Sequence, residues 1–301
     1  MLLDCAIVGG GPAGLNAALV LGRARRHVIL FDSNQPRNAV TRHSHGFITR
    51  DGVKPGEFRS YAQQDIRRYP SVQIHNDTEV VSVERMGHTF RLATRTGERF
   101  DARTILLAAG LREVLPEVRG IHDYYGKSLF SCPYCDGWEL RDKPLVVIAE
   151  GPNLFLSARI IWNWSRDLIL CSNGNRVLNP QQLHLLNSKG IGVMEQRIAR
   201  LEGNNGLMER VVFEGGSSIA RSGGFVSPQW YQAAPFGAQL GCLTNSLNGF
   251  VTDSFGRTNV RGVYAAGDTS VVAPSQLIIA AAEGSRAAIG INTDLSEEAF
   301  L

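Results

Sequence analysis

Cysteine is scarce in this chain: five among 301 residues, too few to staple a protein of this length into a disulfide scaffold. Long apolar runs are missing as well. The longest, such as 104–110 and 277–282, fall well short of the roughly 20 residues that cross a bilayer, so no membrane span is expected. Neither sign of charge is in excess. With 31 basic and 28 acidic residues the net charge is +3, which leaves no electrostatic footprint for nucleic acid. The amino-terminal stretch has no basic lead-in and no small-residue cleavage site, and a cytoplasmic protein is expected. What is present is a chain 44% hydrophobic, able to form one large domain or two smaller ones and suited to a small-molecule or protein substrate.

Glycine is not scarce, and its placement carries the first positive signal. An apolar, β-branched run at 5–8 is followed by Gly9-Gly10-Gly11-Pro12-Ala13-Gly14 and then a helix-like run from Leu15 to Arg23. Gly9, Gly11 and Gly14 satisfy G-x-G-x-x-G, the pattern of a tight turn that brings backbone close to a pyrophosphate and packs helix on strand. Alone the motif is weak. Here a second strand, 28–31, ends in Asp32, 23 positions after Gly9, where a carboxylate can accept hydrogen bonds from ribose hydroxyls. Later in the chain, the apolar stretch from Gly262 runs into Gly267 and Asp268, and a helix follows from Gln276 to Ile289. This arrangement resembles the flavoproteins with two dinucleotide-binding domains. The resemblance implies FAD in the first unit, Asp268 on the ribityl chain, and a helix amino end near the ring, where its partial positive charge favours an anionic reduced flavin.

The strand–turn–helix–strand order returns at a constant offset of 140 residues: Ile148 to Pro152 overlies Val8 to Pro12, and 168–172 overlies 28–32. The expected fold is α/β, with two Rossmann-like, three-layer dinucleotide-binding domains, the second inserted in the first. Residues 1–114 and 243–301 would form the FAD-binding domain and 115–242 the inserted one.

Two of the five cysteines lie close together, in Cys132-Pro133-Tyr134-Cys135-Asp136. The pair as half a zinc site needs two more convergent ligands, whereas the other cysteines stand alone at 5, 171 and 242; no metal is expected. Two thiols separated by two residues can close a small disulfide ring, and a thiolate at one of them can attack a disulfide. Asp136 is placed to move the accompanying proton. Cys-Pro-Tyr-Cys-Asp-Gly between two nucleotide-type units resembles the low-molecular-weight thioredoxin reductases over essentially the whole chain. That resemblance implies a redox disulfide Cys132–Cys135, Asp136 as its acid/base, a thioredoxin-like protein as electron acceptor and a homodimer.

The chain departs from the family where NADPH should bind. Against the first unit, Gly9, Gly10 and Gly14 become Ala149, Glu150 and Leu154, and only Gly151 keeps its place. A carboxylate ~6 Å from a pyrophosphate, at an effective dielectric of ~20, opposes binding by about 3 kcal/mol before screening. The next strand ends in Cys171-Ser172-Asn173-Gly174, without the basic cluster that would hold a 2′-phosphate, and Arg176 reads as a solvated loop residue. The pattern resembles a deep-branching, nicotinamide-independent set of thioredoxin reductase-like proteins. NADPH use is expected to be impaired or absent, which leaves the electron donor open, a ferredoxin-type protein being one candidate.

Two other functions fit the same residues: a flavin-dependent dithiol oxidase with oxygen as acceptor, and a non-catalytic flavin redox sensor. His43-Ser44-His45-Gly46-Phe47 is either a flavin-facing loop contributing His45 or a surface histidine loop. Trp162 and Trp164, two apart in an expected helix, should lie on different faces. Phe300-Leu301 either folds over the flavin or a partner copy, or frays.

Overall fold

The structure is a computed structural model that describes residues 2–301. The chain divides into two compact units. Of the described residues the first comprises 2–39, 46–112 and 230–301, and the second 40–45 and 113–229. The chain returns to the first unit at 230 rather than at the expected 243. Phe236 and Cys242 explain the difference, because both bury in a core built on the first unit's strands.

In the first unit, strands lie side by side in the order Val72–Asn76, Val28–Asp32, Leu3–Val8, Arg99–Leu107, Thr89–Thr94, Val80–Met86. The strand Arg99–Leu107 is long enough to serve two partners along the edge opposite Leu3–Val8. Its first half pairs antiparallel with Thr89–Thr94 and its second half parallel with Val263–Ala265. Strands buried on both faces need apolar residues at every position, and alternation then divides them between two cores. Cys5, Ile7, Val28 and Leu30 pack beneath the helix Pro12–Arg23 and the carboxyl-terminal helix, while Ala6, Val8, Ile29 and Phe31 join Phe90, Leu92, Phe236 and Phe250 on the other side.

The carboxyl-terminal helix spans Leu277–Phe300, not 276–289 as expected, with Gln276 as its N-cap. Its apolar stripe continues through Ile291 and Leu295, both buried. Asp294, a poor helix former, is held there by Arg257 and by the Tyr264 hydroxyl. Phe300 closes the last turn of that helix, exposed like Leu301. Gly284 lets the helix lie directly on the other one, since a methyl there would run into the Ala13 carbonyl oxygen.

The second unit repeats the plan on a smaller scale. Its parallel sheet runs Gly192–Met194, Leu168–Cys171, Leu145–Ile148, Gly223–Val226, Leu129–Phe130, and the helix Asn153–Ile161 packs against it through Leu154, Ala158 and Ile161. This helix stops at Ile161, so Trp162 is its C-cap and Trp164 lies beyond it. No helix among the described residues is long and apolar enough to cross a membrane.

Candidate active site

The glycine turn of the first unit has the shape its spacing predicts. Gly9 leaves the first strand at φ +121°, a conformation that favours glycine, against the backbone of Ala108 and Ala109. A methyl on Gly10 would run into the Asp32 carboxylate, and one on Gly14 into the Gly9 carbonyl oxygen. Gly11, the N-cap of the helix, differs: a methyl there would meet no atom of the protein. Pro12 occupies the first helical turn, where a missing N–H costs nothing, and Ala13 is buried. Open space at a helix amino end, bordered by backbone, fits the pyrophosphate of FAD.

Asp32 is buried at the end of its strand. Its Oδ1 accepts the Asn34 N–H at 2.8 Å and its Oδ2 pairs with Arg59, whose buried Nε has no hydrogen-bond partner. An orphaned donor beside this carboxylate fits a polar adenosine end. Gly267 has φ +69° and sits against the Ala13 side chain, which brings Asp268 next to the amino end of the same helix. Arg37 Nη2 donates to Asp268 Oδ2 at 2.7 Å and to Ser275 Oγ at 2.6 Å. Ser275 Oγ in turn donates to Asp268 Oδ2 at 2.7 Å, and the guanidinium lies 4.9 Å from the Trp230 ring centroid.

In the second unit Cys132 and Cys135 are disulfide-bonded, with Cα atoms 5.3 Å apart. The pair opens a single helical turn, Pro133–Asp136, in which Pro133 presets the first helical φ and Cys132 is the N-cap. The Cys135 N–H donates to Cys132 Sγ at 3.2 Å. Asp136 ends this turn, where burial pushes its carboxyl up to about 7; the charge of Glu139 adds to the rise and His45 opposes it. His45, in the loop expected either to face a flavin or to lie at the surface, falls in this unit with Nε2 3.7 Å from Glu139 Oε1. Tyr134, between the cysteines, meets Trp164 edge-on at 5.4 Å. The other three cysteines are buried free thiols, and burial pushes Cys5 and Cys171 up to about 12. No cluster of residues among those described is suited to a metal ion.

The second glycine-turn position is built differently. Ala149 and Leu154 are 1% and 0% exposed and belong to the core. Glu150 remains at the surface, its Oε1 accepting from Asn173 Nδ2 at 2.6 Å. Asn173, at φ +51°, is itself anchored, its Oδ1 accepting the Ile198 N–H at 2.9 Å. Ser172 Oγ donates to the Asn175 carbonyl, and Arg176, 90% exposed, pairs with Glu195 at 3.7 Å.

Comparison with known proteins decides the family. The model of the pyridine nucleotide-disulphide oxidoreductases matches residues 3–284. The chain belongs to that family. It is 32% identical to a probable thioredoxin reductase of Arthroderma benhamiae, over 98% of this chain and 81% of that one. It is 33% identical to thioredoxin reductase tcpT of Claviceps purpurea, over 90% and 88%. Among solved structures, a putative thioredoxin reductase TrxB from Bacillus anthracis superposes with a TM-score of 0.94 at 45% identity, covering 98% of this chain and 99% of that one. The protein is thus a thioredoxin reductase-like flavin disulfide oxidoreductase with a Cys-x-x-Cys disulfide.

Several residues of this flavoprotein's candidate site were not legible in its sequence. Arg37 and Ser275 converge on Asp268, Arg37 from 231 residues away with Trp230 against its guanidinium, and Arg59 reaches Asp32 from the next helix, Pro55–Ile66. An arginine in a polar loop carries no local signal of its partner. Glu150 was readable as a foreign carboxylate, but its clamp by Asn173 was not.

Proposed function

We propose that this chain is an FAD-dependent thiol/disulfide oxidoreductase in which Cys132–Cys135 passes electrons to a thioredoxin-like protein, and that its inserted unit no longer uses NADPH efficiently. The observation that carries the second part is the clamped carboxylate of Glu150, held by Asn173 where a phosphate turn offers bare backbone N–H groups. Leu154 stands where the first unit has the glycine that lets helix and strand pack closely, and as a core residue it fixes a different packing there.

FAD bound in the first unit would supply the two-electron chemistry for Cys132–Cys135. The residues for it are Gly9, Gly11, Pro12, Ala13 and Gly14 around the pyrophosphate, Asp32 on the adenosine ribose, and Gly267, Asp268 and the N-cap Gln276 on the flavin side. The reduced cysteines then divide the work. Cys132 is the attacking thiolate, because the Cys135 N–H aimed at its sulfur favours the charged form. It attacks one sulfur of the acceptor's disulfide, breaking that bond and forming a mixed disulfide; the departing thiolate takes a proton from Asp136. Cys135 next attacks the Cys132 sulfur, which releases the second acceptor thiol and restores Cys132–Cys135. A carboxyl held near 7 by burial is a proton donor at neutral pH where an ordinary aspartate is not.

Relatives named thioredoxin reductase support the thioredoxin-like acceptor and a homodimer. Anaerobic stopped-flow reduction with NADPH, NADH and reduced ferredoxin tests the donor. Slow or absent bleaching by either nicotinamide, with fast reduction by the electron-transfer protein, is expected. Rapid, complete bleaching by micromolar NADPH defeats the proposal.

A further inference from the structure

Arg37, Trp230 and the pair Asp268 and Ser275 come from three separate stretches of the chain and meet at one point of the first unit. The cluster is only partly solvated, with the Arg37 and Asp268 side chains 28% and 17% exposed. Its parts constrain one another. Asp268 Oδ2 accepts from both Arg37 and Ser275, Arg37 also donates to Ser275, and the Trp230 ring fixes the plane of the guanidinium as a planar cation on an aromatic face does. Gly267 against Ala13 sets this cluster beside the helix amino end that is open at Gly11.

Two requirements conflict at that place. A carboxylate is a good acceptor for the hydroxyls of a ribityl chain, yet it repels a diphosphate a short distance away, and partial burial strengthens the repulsion. A cation on the carboxylate removes the conflict. We propose that Arg37 is a positioning residue for the cofactor: it neutralises Asp268 and fixes its carboxylate, so that the acid accepts hydrogen bonds from the flavin's polyol chain without repelling the diphosphate at the glycine turn. Nothing in the spacing of the glycine motif marks this residue, and lysine would serve less well, having neither the fork that holds Asp268 and Ser275 together nor the flat face for Trp230.

The inference rests on the reading that FAD occupies the first unit, and release of FAD from the purified holoprotein tests the two separately. Dilution of the yellow protein is followed by the rise of flavin fluorescence, for the parent, Arg37→Gln, Arg37→Lys, Asp268→Asn and the double variant Arg37→Gln/Asp268→Asn, at low and at high salt. Arg37→Gln should release FAD about tenfold faster or more, as expected for a lost charge-assisted hydrogen bond that leaves its partner uncompensated. Arg37→Lys should fall in between. The double variant should release FAD more slowly than Arg37→Gln alone, because no unpaired carboxylate remains, and high salt should shrink the Arg37→Gln effect. An arginine that only fastened the loop would give neither the rescue nor the salt dependence.

Release at the parental rate from Arg37→Gln, or no rescue by Asp268→Asn, overturns the proposal. Should Arg37→Gln not fold, Arg37→Lys with and without Asp268→Asn carries the same comparison. A parent protein that purifies colourless and takes up no FAD overturns the underlying reading, whereas a yellow parent with an indifferent Arg37 overturns this inference alone.

Discussion

Glu150 and Asn173 are joined across the ends of two neighbouring strands by a 2.6 Å hydrogen bond. The bond holds a carboxylate at the site of the second phosphate turn instead of letting it swing into solvent. Glu150→Gln keeps a side-chain carbonyl for Asn173 while removing the charge. NADPH should then bind on the order of tenfold more tightly than to the parent, within the few kcal/mol that one charge at ~6 Å contributes. Isothermal titration with NADPH checks it, and an unchanged dissociation constant would show that the charge is not the obstacle. Leu154→Ala, by contrast, should lower stability by roughly 2–5 kcal/mol as a core truncation and give no gain in NADPH affinity.

Gly11 and Gly14 should separate cofactor binding from folding. Gly11 has ordinary extended φ and ψ, −79° and −178°, and open space where a side chain would go. Gly11→Val should therefore leave the melting temperature of the flavin-free protein within a few degrees of the parent's while the protein purifies colourless. Gly14→Ala meets the Gly9 carbonyl oxygen and should instead lower expression and melting temperature. Flavin absorbance and a thermal melt on both variants settle the comparison.

Asp136 ties activity and stability to pH. Its carboxyl is raised from 3.8 to about 7 by burial, so between those values the folded protein holds a proton that the unfolded chain does not. Stability contributed by this group is full below about pH 4 and is lost as pH rises through about 7. Asp136→Asn should remove that dependence and stabilise the protein at pH 8, by on the order of 4 kcal/mol at most. At pH 4 the change in stability should be small. Thiol–disulfide turnover of the parent should fall as pH rises through about 7, and the variant should lose most of its turnover at every pH. Paired denaturation and rate measurements across pH 4 to 9 test both; a pH-independent stability difference would remove the buried acid from the mechanism.

The cysteines give the simplest check. Cys132→Ser and Cys135→Ser should each abolish thiol–disulfide turnover while FAD stays bound, because the disulfide and the glycine turn lie in different units. Turnover with a thioredoxin-like substrate and the flavin spectrum are the two readouts. Unchanged turnover in both variants would refute the assignment.

What the sequence made legible was local. The glycine turn, Asp32 at the next strand end and Cys132-Pro133-Tyr134-Cys135 are each specified by residues adjacent in the chain, and a strand or helix start needs no distant partner to declare itself. The expected end of the last helix at 289 failed for the opposite reason. Thr293, Asp294 and Ser296 are weak helix formers, and the ion pair from Arg257 that holds Asp294 is tertiary. The loop 43–47 admits both a flavin-facing and a surface reading; in the structure His45 lies 3.7 Å from Glu139, a pairing for which a bend in a loop leaves no periodicity to read. Arg37 on Asp268 was invisible for the same reason as Asn173 on Glu150: a single polar side chain has many potential partners, and only the folded backbone chooses among them.

The division of the chain also sets an order of assembly. The first unit is interrupted after 112 and resumes only at 230, so on the ribosome the redox disulfide's unit emerges whole while its host still lacks everything from 230 onward. The late pieces include Val263–Ala265, which completes the pairing of Arg99–Leu107, and Leu277–Phe300, which covers the helix of the glycine turn through Gly284. Asp268 and the N-cap Gln276, read here as flavin-side residues, then become available only at the end of synthesis. A nascent chain truncated before 263 carries its two thiols without a finished flavin site, and in that interval the cysteines depend on the cell's own thiol pool to set their redox state.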